Sequence, residues 1–138
     1  MTQIVSETKE RFLVAIAEQV AVDRIAEVHF FKPIKQGGLE SGVAVVALSE
    51  AKGVDSPSEP RRPAKHTVFT AHYRHTLKGV DRGKWQVTVV EEADAPLVTV
   101  ETVVRGVQRR AGDVDDPERM EGDAVREVVA AAAARAAN

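Results

Sequence analysis

The sequence predicts an α+β fold: a curved antiparallel sheet of about five strands, a hairpin plus a three-strand meander, with an N-terminal and a C-terminal helix. Three observations carry this. Apolar residues recur at three- and four-residue intervals near both ends of the chain, the spacing that lines one helix face. Between them the period drops to two, the alternation of a half-buried strand. Short Gly- and Pro-bearing turns separate the period-two runs and join antiparallel neighbours. With 138 residues the chain has the size of one domain, residues 1–138, around one core. Its 43% hydrophobic content is too apolar for general disorder.

The first helix follows Ser6, a residue type whose hydroxyl accepts a free backbone N–H at a helix start. Phe12, Leu13, Ile16, Ala17 and Val20 form its apolar stripe, and Lys9, Glu10, Arg11, Glu18 and Gln19 its wet side. It is expected to end near Asp23. Ala26, Val28 and Phe30 then alternate with Glu27 and His29, predicting a strand. Gly37 and Gly38 supply the positive φ that a reversal needs, and Pro33, which cannot donate to a ladder, belongs at a strand end or edge. Residues 43–48 are apolar on both faces, which predicts a central, doubly covered strand.

Residues 50–64 hold Gly53, Pro57, Pro60 and Pro63 and predict a long mobile loop. Residues 66–77 alternate again, with Phe69, Ala71, Tyr73 and Leu77 on one face and His66, Thr70, His72, Arg74 and Thr76 on the other. A turn at residues 78–83 leads to a strand with Trp85, Val87 and Val89 on one side. Residues 97–107 complete the predicted meander, with Gly106 as a bulge. The last helix is expected from Asp116-Pro117-Glu118, where Asp is a good N-cap and Pro suits the first helical position, with Asp123 as a second start because Gly122 weakens the first turns.

Charge is distributed unevenly. Residues 61–84 carry seven Lys or Arg against Asp81, about +6, and residues 111–127 carry seven acids against two arginines, about −5. The absence of cysteine removes disulfides, thiolate metal sites and cysteine nucleophiles. No stretch approaches the roughly 20 apolar residues needed to cross a bilayer, and the first residues show no signal-peptide pattern. A cytoplasmic location without membrane contact is the expectation.

No constellation with specific chemistry stands out. His66 and His72 share a face but lie about 20 Å apart at roughly 3.3 Å per residue, and His72 and His75 point to opposite faces, so no metal site is expected. His29 reads as a rim residue. The carboxylates of Glu91 and Glu92 read as solvated charges at a strand end, and no nucleophile elbow, P-loop or dinucleotide motif is present. No cofactor is expected, and a non-catalytic role is expected ahead of the alternative, an enzyme built from residues scattered over several strands.

Three binding readings follow. Arg61, Arg62, Lys65, His72 and Arg74 form a basic surface for an anionic ligand, with Arg105 and Arg109 approaching from the last strand; nucleic acid is disfavoured because Phe69 and Tyr73 alternate away from that face. Phe69, Tyr73 and Trp85 form a cup between sheet and helix for a small molecule, with or without catalysis, against the simpler reading of ordinary core. Phe31, Val90, Leu97, Val103 and Val107 sit among charged residues and predict an apolar patch on the second sheet face. Such a patch suits a homodimer that sets basic against acidic blocks. The leading expectation is a small non-catalytic binding or assembly module whose partner is protein, most simply a second copy.

Overall fold

A computed structural model describes residues 6–49, 67–91, 100–111 and 117–137. The elements run α1 (Glu7–Gln19), a 3₁₀ turn (Val22–Arg24), β1 (Ile25–Phe30), β2 (Ile34–Gln36), β3 (Leu39–Leu48), β4 (Thr67–Thr76), β5 (Trp85–Glu91), α2 (Val100–Ala111), β6 (Glu118–Glu121) and α3 (Gly122–Ala136). All strand pairs are antiparallel, in the order β5-β4-β3-β1-β6, with β2 also on β3. The fold is α+β with a curved sheet, and among the described residues it has six strands where about five are expected from sequence. The 50–64 loop lies outside the described residues.

Where sequence and structure agree, the local physics is plain. Ser6 caps α1, its Oγ accepting from the Lys9 N–H at 3.2 Å. Phe12, Leu13 and Ile16 are buried, and each such side chain contributes about 1.5–3 kcal/mol on leaving water. The helix stops at Gln19, one turn before Asp23, because the 3₁₀ turn swings the chain into β1. Gly37 and Gly38 take φ of 61° and 76° between β2 and β3. Residues 44–48 of β3 are buried on both faces, as a central strand requires.

The two sheet faces differ. On the first, Val28 and Phe30, Ala44, Val46 and Leu48, and Ala71 and Tyr73 meet the apolar stripes of α1 and α3. Gly122 opens α3 buried against β1, and a Cβ there would collide with the Ile25 carbonyl oxygen. Arg126 binds the same region, donating to the Ile25 carbonyl at 2.9 Å and to that of Val22 at 3.2 Å.

The second face corrects the predicted meander. Residues 100–107 are helical: Val100, Val103, Val104 and Val107 fall at i, i+3, i+4 and i+7 and pack toward Phe31, Val45 and Val68. Their β-branched character suggested a strand, but burial of this stripe on the sheet decides the local structure. Gly106 is thus a helical residue with open space around it, and no bulge. Phe31 and Val107 are covered, so among the described members of the expected apolar patch only Val90 is half exposed, at 50%; Leu97 lies outside the described residues.

The chain end is corrected too. Glu118–Glu121 is a strand, pairing Val28 with Met120 and His29 with Arg119, and α3 starts at Gly122, beside the alternative start at Asp123. Asp116 lies outside the described residues. The edge of β1 needs a partner for its backbone groups, and that ladder outweighs the helix-start signal of Pro117-Glu118. One consequence concerns charge. The β4–β5 hairpin and β6 occupy opposite ends of the sheet, so the basic hairpin and the acidic strand do not meet within it.

Candidate ligand-binding site

The first sheet face is not fully roofed. Where α1 begins, its first turns stand off from the ends of β1, β3 and β4 and leave a cleft of about 760 Å³. Phe12 comes from α1, Phe30 from β1, Phe31 from the segment after it, Tyr73 from β4 and Glu40 from β3. Four aromatic rings share its wall with Ser6, Thr8, Lys9, Lys35, Glu40 and Glu118, so the cleft is mixed in polarity, in the size range of small-molecule sites.

Strand register explains the placement of its polar centre. Gly42 lies directly opposite Tyr73 and Glu40 opposite His75, all on the face toward α1. A Cβ on Gly42 would collide with Cε1 and Cζ of the Tyr73 ring, so the bare glycine lets the ring lie over β3. The ring then extends along the neighbouring strand, and its hydroxyl donates to Glu40 Oε1 at 2.9 Å. Glu40 is buried at 7% exposure and Tyr73 at 2%. Burial first, then the bond to Glu40 and its negative charge, raise the Tyr73 phenol well above its ordinary value. The second carboxylate oxygen, Oε2, faces Lys35 Nζ at 3.6 Å, an ion pair longer than a hydrogen bond.

Aromatic rings stiffen the floor. Phe12 meets Tyr73 edge-on at 4.8 Å and Phe30 at 6.3 Å, and Tyr73 stacks on Trp85 at 5.0 Å. Trp85 stacks in turn on His75 at 4.6 Å, and the Arg11 guanidinium lies 4.8 Å from the Trp85 ring. At the cleft itself Lys9 Nζ stands 5.0 Å from the Phe30 ring centre and 2.5 Å from Glu118 Oε2.

Of the residues expected to form a cup, Tyr73 lines the cleft. Phe69 and Trp85 are partly buried beside the same core, and Trp85 reaches the site only through its stack on Tyr73. Phe12, Phe30 and Glu40 carry the site without having been singled out. Their signal was available in part: Glu40 and Gly42 interrupt the inward-facing set that continues as Ala44, Val46 and Leu48, but only the register with β4 gives this meaning.

The expected basic surface is only partly described. His72 and Arg74 are exposed on the second face, while Arg61, Arg62 and Lys65 lie outside the described residues. Arg105 and Arg109 belong to helix α2 and not to a strand. Val68 and Thr70 on the same side of β4 are buried, so α2 narrows the polar face predicted for this strand.

On that face, at the β6 end, Glu27 Oε2 receives Arg119 Nε at 2.9 Å and lies 2.6 Å from His29 Nε2. Burial alone would raise the Glu27 carboxyl, but hydrogen bonds and charge from Arg119 and His29 outweigh it and hold the group below its ordinary value. His29 thus lies within hydrogen-bond distance of Glu27, beside an Arg119 ion network that also includes Glu121. Among the described residues no cluster suits a metal ion, and no helix is long and apolar enough to cross a membrane. Comparison with family models, curated proteins and solved structures finds no match to this chain.

Proposed function

We propose that this chain is a small-molecule-binding protein whose cleft takes an amphipathic ligand. One observation carries the reading: aromatic residues surround a buried Glu40–Tyr73 pair in a cleft of about 760 Å³. The packed rings form a rigid apolar wall behind the cleft, and the Glu40 carboxylate is its most buried polar contact. A neutral fluorescent probe, N-phenyl-1-naphthylamine, tests it. Saturable binding to the wild-type protein, lost in Thr8→Trp, which fills the cleft from the first turn of α1, supports the reading. Binding that Thr8→Trp leaves untouched, or no saturable binding, contradicts it.

A second reading, protein binding or self-assembly, retains one supporting observation. The β4–β5 hairpin, with Arg74, Lys78, Arg82 and Lys84, lies at one end of the sheet and β6, whose Glu118 and Glu121 pair with Lys9 and Arg119, at the other, so head-to-tail contact between copies would exchange those pairs for the cations of the hairpin. Light scattering across concentration, at low and high salt, separates the readings: salt-sensitive growth in mass favours assembly.

A further inference from the structure

Resting on the cleft as a ligand site, we propose that its ligand carries an amine, seated as an ammonium against Glu40 with its apolar body on Phe12, Phe30 and Tyr73. Two charges lie deep in the cleft, Glu40 and Lys9, and the Lys9 ammonium is already met by Glu118. Glu40 is 7% exposed, whereas the Lys35 side chain beside it is 70% exposed. A charge pair is roughly fourfold stronger where the effective dielectric is about 20 than in water at about 80. The buried carboxylate, more than the exposed Lys32 and Lys35, therefore selects the sign of the ligand.

The nearby cations do not cancel that preference. Lys9 is paired with Glu118 at 2.5 Å. Lys35 stands 3.6 Å from Glu40 Oε2, beyond hydrogen-bond length, so this oxygen keeps acceptor capacity for a closer donor. Lys32 lies on the exposed rim, where salt screens it. Two ammonium groups of the chain itself already adopt parts of the arrangement, Lys9 over the Phe30 ring at 5.0 Å and Lys35 toward Glu40. Aromatic faces attract cations, and an incoming ammonium that replaces Lys35 leaves that lysine in water. An anion of the same shape meets Glu40 instead.

Calorimetric titration with decylamine, decanol and decanoate, each below its micellar concentration, tests this on the wild-type chain and on Glu40→Gln. Decylamine is expected to bind at least about tenfold more tightly than decanol, with decanoate weakest, a preference of about 1.4 kcal/mol. Glu40→Gln is expected to bring decylamine to the level of decanol. Lys35→Ala, on an exposed side chain, removes the competing ammonium and is expected to tighten decylamine about threefold, with decanol unchanged. Decanol or decanoate binding as tightly as decylamine overturns the amine assignment and leaves the cleft reading standing, as does looser decylamine in Lys35→Ala. No binding by any of the three overturns the cleft reading itself.

Discussion

The Tyr73 hydroxyl donates to Glu40 across Gly42, joining β4 to β3 through a buried bond of 2.9 Å. Removing the donor leaves a buried carboxylate less satisfied. Tyr73→Phe is therefore expected to cost about 1–3 kcal/mol, read as a lower urea midpoint. Glu40→Gln, whose amide oxygen still accepts from Tyr73, is expected to cost less.

Gly42 and Tyr73 are coupled by space. Gly42→Ala drives a methyl against the edge of the Tyr73 ring and is expected to cost about 1–3 kcal/mol, the usual range for overpacking. In a Tyr73→Ala background the same change is expected to cost much less, giving a coupling of at least about 0.5 kcal/mol in a double-mutant cycle. Additive costs count against the ring lying over Gly42.

Two helical glycines should respond in opposite directions. Gly122→Ala meets the Ile25 carbonyl, a backbone atom that yields little, and is expected to lower stability by at least about 2 kcal/mol. Gly106→Ala enters open space on α2 and is expected to raise stability by about 0.5–1 kcal/mol through helix propensity. Thermal melts of the two variants suffice. A strand at residues 100–107 would remove the reason for the second gain.

The chain has one tyrosine, so tyrosinate absorbance near 295 nm reports Tyr73 alone. Its folded pKa lies above the ordinary value of 10.0. The linked stability is present below about pH 10 and is lost as pH rises toward the folded value. The native protein is expected to show no tyrosinate signal at its ordinary midpoint, the signal rising only with unfolding. In urea the same group is expected to titrate near 10.

At the acid end the sign reverses. Glu27 is held below its ordinary value of 4.5, so its ion network stabilises the fold above that pH and the contribution is lost as pH falls through the folded value. Arg119→Ala is expected to lower stability at pH 7 and to make the acid loss shallower, as read from urea midpoints between pH 3 and 7. An unchanged acid profile in Arg119→Ala contradicts the pairing.

The degree to which the fold is legible in the chain differs by element. Ser6, the α1 stripe, Gly37 and Gly38, and the apolar run of β3 act through local spacing and conformation, and the structure follows them. Valines at 100, 103, 104 and 107 satisfy a helical stripe while having strand-like propensities, and only packing on Phe31, Val45 and Val68 resolves the conflict. Residues 118–121 become a strand because β1 presents a free edge, a fact of topology. The cleft is less legible still. Tyr73 was visible as an inward aromatic, but Glu40 and Gly42 join it only through the register of β3 on β4, and Phe12 and Phe30 only through the packing of α1 on the sheet.

The most direct test of the cleft as a binding site is amide chemical-shift mapping with decylamine on the uniformly labelled chain. Shifts concentrated at Ser6, Thr8, Phe31, Lys35, Glu40 and Tyr73, with α2 and the exposed His72 and Arg74 unmoved, are the predicted result. Shifts centred on α2 or on His72 and Arg74, or none at saturating ligand, would contradict it.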